Sequence, residues 1–156
     1  MPYPPHNFED FQPGLAFEHG PRRITREDIQ AFAALSGDHT ALHTDETYAS
    51  RTSFRGIVAH GALVLAVATG LAYGSGLFDG TVLAITAMTT RFVRPALPGD
   101  QVTLRLRVRD LEARPRPDRG RVILEVEVVN QSGAIVLAGD WSLLVRRKPT
   151  GVSPRG

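Results

Sequence analysis

The sequence predicts an α+β fold in which an antiparallel β-sheet wraps around a buried central α-helix, and three observations carry that expectation. From Thr81 onward the apolar residues recur with period two in several separate segments. The stretch from His60 to Tyr73 is apolar on every helical face, the mark of a helix enclosed by other structure. The connections between the alternating segments are short, which pairs neighbouring strands antiparallel.

In chain order, the opening Met1-Pro2-Tyr3-Pro4-Pro5-His6-Asn7 reads as a loose, Pro-rich arm. It lacks a basic start followed by an apolar stretch, so it does not read as a secretory signal. Leu15 to His19 and then Arg22-Arg23-Ile24 suggest a short first strand broken by Gly20-Pro21. Thr25 is placed to cap a helix over residues 26–36, with Glu27 and Asp28 in the first turn, where the helix dipole favours negative charge. Ile29, Phe32, Ala33 and Leu35 or Ser36 follow helical spacing, and Gly37 supplies the left-handed residue that ends the helix. Asp38 through His43 are then expected in a loop. Thr44, Asp45 and Glu46 start a second, short helix through Tyr48 and Ala49, and the apolar helix follows near His60 to Tyr73.

Strand alternation is clearest at Val102, Leu104, Leu106 and Val108, which alternate with Thr103, Arg105, Arg107 and Arg109. Val122, Leu124, Val126 and Val128 repeat it, and Ile135, Leu137, Trp141, Leu143 and Val145 occupy the odd positions of a last strand. Pro98-Gly99-Asp100, the Pro-rich stretch from Arg114 to Gly120, and Asn130-Gln131-Ser132-Gly133 punctuate these strands. The wholly apolar helix covers the apolar face of the resulting sheet. The expected organisation is a flexible N-terminal arm over 1–13, a single domain over 14–147 and a disordered tail over 148–156.

Composition narrows the function classes. A chain of 156 residues fits one ordinary domain. The absence of cysteine excludes disulfides, thiolate zinc sites and cysteine nucleophiles, and makes a cytoplasmic location the default. The longest apolar stretch, roughly Ile57 to Tyr73, is interrupted by His60, Gly61 and Gly70 and falls short of the ~20 residues that span a bilayer, so no membrane insertion is expected. The pI near 9.5 at a net charge of only +2 reflects arginine standing in place of lysine, since Lys148 is the only lysine. These arginines are scattered and lack interleaved aromatics, so nucleic acid is not the expected partner.

The chemistry-bearing run is Ser36-Gly37-Asp38-His39-Thr40-Ala41-Leu42-His43, followed by Ala59-His60-Gly61. A carboxylate and an imidazole five positions apart, where a helix ends, can serve as paired acid and base beside a buried pocket. Asp38 alone has a plainer reading, a turn residue that hydrogen-bonds its own backbone. His60 either lines the pocket or satisfies a buried hydrogen bond. His39 is expected to face solvent, and with no third ligand evident the sequence gives no case for a metal site at His39 and His43.

Phe32-Ala33-Ala34-Leu35-Ser36-Gly37-Asp38, then Leu42-His43, Ala49 and Ile57-Val58-Ala59-His60-Gly61, resemble the hydratase motif of the MaoC-like dehydratases, which include the R-specific enoyl-CoA hydratases and have the hotdog fold. Phe92-Val93-Arg94-Pro95 with Pro98-Gly99-Asp100 is similar to that family's strand-and-turn signature, and the likeness runs from about Phe11 to Val145. The resemblance implies a lyase that adds water to, or removes it from, an enoyl-CoA or 3-hydroxyacyl-CoA thioester, with Asp38 and His43 as the catalytic pair around a shared water. It implies no cofactor, coenzyme A being part of the substrate, and a homodimer formed by joining sheets. The thioester oxygen needs a donor as charge develops on it, and the backbone N–H of Gly61, near the start of the apolar helix, is placed to supply one. Gly61 and His60 are accordingly the substrate-binding candidates, and no metal is expected. Arg51, Arg55, Arg91 and Arg94 could meet coenzyme A phosphates, although surface solvation explains each of them singly.

Three positions depart from the family pattern. Thr40 and Ala41 replace the asparagine and proline common between the catalytic pair, and Ala66 stands where many R-specific hydratases carry a serine. The alternatives are a hotdog acyl-CoA thioesterase, disfavoured because 61–73 holds no Asp or Glu, and a non-catalytic acyl-CoA binding protein, disfavoured because a pure binder needs neither Asp38 nor His43.

Overall fold

The segments after Thr81 and the expected first strand together form the five strands of one sheet in the computed structural model, which describes residues 2–113 and 116–151. Strands β1 (Ala16–Arg23), β2 (Val82–Phe92), β3 (Gln101–Ala113), β4 (Arg119–Val129) and β5 (Ile135–Arg146) lie in the order β1-β3-β4-β5-β2. Every neighbouring pair is antiparallel. The alternating residues of β3 and β4, together with Leu137, Trp141, Leu143 and Val145 of β5, are buried on one face. Each such side chain contributes about 1.5–3 kcal/mol by leaving water, and a one-residue slip would turn the whole set outward, so the apolar pattern fixes the register. The opposite face carries ion pairs such as Arg105 with Glu18 and Arg109 with Asp140, exposed enough to add little stability.

Two strand expectations need correction. Gly20-Pro21 does not break β1: the strand runs through it, and the register against β3 shifts between His19 and Arg22, so the irregularity is absorbed as a bulge. Nor does β2 lie beside β3, its successor in the chain. It pairs with β5, and beyond its end Val93 and Arg94 both donate their N–H to the Val136 carbonyl, so the chain stays on β5 before crossing to β3. Arg114 and Pro115 of the expected Pro-rich turn lie outside the described residues.

Helix α1 (Arg26–Ser36) has both ends where the sequence puts them. Thr25 Oγ1 accepts from the Asp28 N–H while the Asp28 carboxylate accepts from the Thr25 N–H, a reciprocal cap, and Gly37 closes the helix at φ +78°. The loop expected from Asp38 to His43 is shorter than that. His43 N–H bonds the Thr40 carbonyl and Asp45 N–H bonds that of Ala41, which winds Ala41–Thr44 into a single turn, α2, that carries His43. Asp45 then caps α3 (Glu46–Ser50) through the Tyr48 N–H.

Helix α4 (Gly61–Gly74) packs Leu63, Val64, Val67, Ala68, Leu71 and Ala72 into the core, in contact with β1, β3 and β5. Its enclosure is incomplete within one chain, because Ala62, Ala66, Gly70 and Tyr73 form an exposed stripe along its far side. The N-terminal segment, expected as a loose arm, packs closely. Tyr3 and His6 donate their N–H groups to the carbonyls of Ser75 and Leu77, and Phe8 and Phe11 are buried in the core. Arg147 and Lys148 pair with Glu9 and Asp10, while residues 152–156 of the expected tail lie outside the described residues.

Candidate active site

The end of α1 determines where the first candidate residue sits. Beyond Gly37, the Asp38 N–H donates to Ser36 Oγ, and Asp38 Oδ1 accepts from both the Thr40 N–H at 3.1 Å and the Thr40 hydroxyl at 2.6 Å. The plain reading of Asp38 as a turn residue is therefore true of one of its oxygens, and Oδ2 is left for another donor. The Thr40 hydroxyl, then the Thr40 N–H, hold the exposed Asp38 carboxyl below the usual carboxylate range, and the neighbouring His60 and His43 add to the effect. Asp38 is an ionised acceptor at neutral pH. Thr40, a departure from the family pattern, thus supplies the hydrogen bonds that shape this group.

His43 approaches from α2. Its Nδ1 lies 2.7 Å from the Val58 carbonyl, and because a carbonyl can only accept, Nδ1 carries a proton, so that in the neutral ring it is Nε2 that presents the lone pair. The same reasoning applies to His60, the residue preceding α4: Nε2 donates to the Asp38 carbonyl at 3.0 Å, which leaves Nδ1 as a buried acceptor without a partner. The two imidazoles stack with centroids 4.0 Å apart and planes inclined by 29°, and Phe32 packs on His60 at 4.9 Å. Asp38, His43 and His60 each bring one donor atom within 4.8 Å of the others.

Gly61 begins α4, and no side chain caps that start, so the first N–H groups of the helix lack intrahelical partners. A cavity of about 590 Å³ adjoins it, lined by Phe54, Val58, Ala59, Gly61, Ala62 and Phe92 among others. A Cβ at Gly61 would lie 2.6 Å from the Phe92 ring, so the glycine permits β2 and α4 to approach. All four residues foreseen for the site, Asp38, His43, His60 and Gly61, meet at this end of α4. His39 is exposed and outside the cluster, and Arg51, Arg55, Arg91 and Arg94 are all surface residues.

Three contributors were not foreseen as such. The Val58 carbonyl that fixes the His43 tautomer is main chain, so no side-chain signal marks it. Phe32 and Phe92 stand in motif segments, yet their contacts with His60 and Gly61 cross between elements and leave no trace in local spacing.

Comparison with known proteins gives the arrangement a context. A family model described as "MaoC like domain" matches residues 10–130. Protein MaoC of Klebsiella aerogenes is 38% identical over 100 residues, 64% of this chain, although the match spans only 29% of that protein. The (R)-specific enoyl-CoA hydratase of Aeromonas caviae is 31% identical over 119 residues, 76% of this chain and 84% of the relative. Among solved structures, one titled monoamine oxidase regulatory protein, from Archaeoglobus, superposes with a TM-score of 0.85 at 35% identity, covering 96% of this chain and 99% of that one. A Mycobacterium tuberculosis protein described as a double hotdog fold superposes with a TM-score of 0.78 at 21% identity over 94% of this chain and 46% of that one, a likeness of fold alone. The sheet and its helix are a hotdog fold.

Proposed function

Because the chain belongs to the MaoC-like domain family, whose relatives here include named hydratases and dehydratases, we propose that it adds water across the 2,3 double bond of an enoyl-CoA thioester, or removes it from the 3-hydroxyacyl-CoA, with Asp38 and His43 as the catalytic pair. One observation carries the reading: the Asp38 carboxylate and the His43 imidazole lie together with His60, the residue before Gly61, and Gly61 lines an apolar cavity at the start of α4.

Two acceptors that face one space hold a single water by its two hydrogens, Asp38 Oδ2 taking one and His43 Nε2 the other. The water oxygen then presents its lone pair to C3 of the enoyl group. As the C3–O bond forms, one of the pair takes a proton from the water, the π electrons move onto the thioester as an enolate, and that same proton is passed on to C2, so that both groups end as they began. A free N–H at the start of α4, Gly61 foremost, stabilises the enolate oxygen, and the helix dipole favours the negative charge there. Dehydration runs the same steps backwards. Nothing beyond the coenzyme A of the substrate is required as a cofactor. The absence of Asp and Glu from Gly61–Gly74 removes the helix carboxylate a hotdog thioesterase would use.

The test is to incubate the purified protein with crotonyl-CoA and longer 2-enoyl-CoAs while following loss of the conjugated thioester absorbance and release of free thiol. Hydration without thiol release is expected. Asp38→Asn and His43→Gln should each lower kcat at least about 100-fold in protein that remains folded, in line with removal of an acid–base group. Thiol release would reassign the protein as a thioesterase, and no reaction with any chain length would leave it a binder.

A further inference from the structure

We propose that His60 is a positioning residue that sets Asp38 and His43 together, an inference that rests on the hydratase reading of the site. Two contacts support it. The ring Nε2 of His60 donates to the main-chain carbonyl of Asp38, 22 residues away in the chain, and so ties the end of α1 to the start of α4. The ring face of His60 stacks on His43, whose opposite constraint is the hydrogen bond from Nδ1 to the Val58 carbonyl. One side chain thereby restrains the backbone of the carboxylate and the plane of the base.

The surroundings make His60 the stiff member of the trio. It is 2% exposed, packed by Phe32, and immediately precedes a helix whose next turns are in the core. Asp38 is exposed and His43 is half-buried, so neither is held by packing to the same degree. The Nδ1 of His60 also fits this role, since it is enclosed away from water and has no hydrogen-bond partner among the described residues, while Nε2 is engaged by the Asp38 carbonyl. A misplacement of about 1 Å between reacting groups can cost on the order of 100-fold in rate, which is the scale on which a lost positioning residue should register.

The two contacts separate by substitution. His60→Phe keeps a flat ring against His43 and loses the donor, whereas His60→Gln keeps an N–H for the Asp38 carbonyl and loses the ring. Each is expected to lower kcat for crotonyl-CoA by about 10- to 100-fold with KM changed less than about 2-fold, at a thermal midpoint close to that of the parent. A second readout does not depend on turnover. Imidazole ¹⁵N shifts should report His43 as a single tautomer protonated at Nδ1 in the parent protein, and as a mixture in His60→Gln. Unchanged kcat in both variants together with an unchanged His43 tautomer would overturn the positioning role. A parent protein that hydrates no thioester, but whose His43 tautomer becomes mixed in His60→Gln, would overturn the hydratase reading while upholding the arrangement of the trio.

Discussion

Asp38 is the residue at which local and functional requirements meet. Oδ1 is spent on Thr40, and that expenditure stabilises the charged form, so the folded pKa is depressed. The sign follows directly: stabilisation from this contact is present above the unfolded pKa and is lost as the pH falls through the depressed folded value. Thr40→Val removes the hydroxyl bond but keeps the N–H bond, and should therefore move the Asp38 pKa upward, toward the ordinary carboxylate value. The acid limb of kcat/KM should move to higher pH in the same direction, because less of the carboxylate is ionised at a given pH. A ¹³C titration of the Asp38 carboxyl in parent and variant measures the first effect, and a pH–rate profile the second. An unshifted carboxyl would show that Thr40 does not tune it.

At the scale of elements, α1 and its stop make the site possible. Gly37 adopts φ +78°, where a side chain costs roughly 1–2 kcal/mol, and the next residue is Asp38. Gly37→Ala should lower stability to urea by about that amount and should also reduce activity, because the relaxation available to the strained residue displaces the carboxylate. Equilibrium denaturation and crotonyl-CoA turnover on the same preparation would check both, and a stability loss with full activity would confine Gly37 to a capping role. Caps and alternation were legible in the sequence because each is a local rule: Thr25 with Asp28 and Gly37 bound α1, and Val102 to Val108 declare a half-buried strand. The α2 turn was not, since Ala41–Thr44 is too short to show a period and is closed by main-chain bonds. The His43–Val58 and His60–Asp38 bonds escaped for a related reason, each having a carbonyl as its acceptor. Residue types marked the participants of the site, while main-chain geometry fixed the proton positions.

At the scale of the whole molecule, an apolar strand edge and an apolar helix stripe are left exposed among the described residues. Among the described residues strand β2 pairs with β5 alone, so its other edge has no strand neighbour there, and its Leu83, Ile85 and Phe92 are 38%, 43% and 61% exposed. The exposed stripe of α4 ends at Tyr73, which lines an apolar recess together with Ile85. A long apolar edge strand invites pairing with another chain unless charge or a covering element prevents it, and this one carries only Arg91 among its eleven residues. The proposed occupant is the β2 edge of a second copy, which extends the sheet across the pair and encloses the α4 stripe that a single chain leaves bare. At 17.0 kDa per chain, sedimentation velocity should then find a species of about twice that mass. Ile85→Lys places a charge on the edge and should shift the protein toward the monomer, with hydration of crotonyl-CoA falling as the dimer fraction falls on dilution. A parent protein that sediments at the mass of one chain across the accessible concentrations would remove this assembly, and would leave β2 and the α4 stripe as an apolar surface awaiting a different partner.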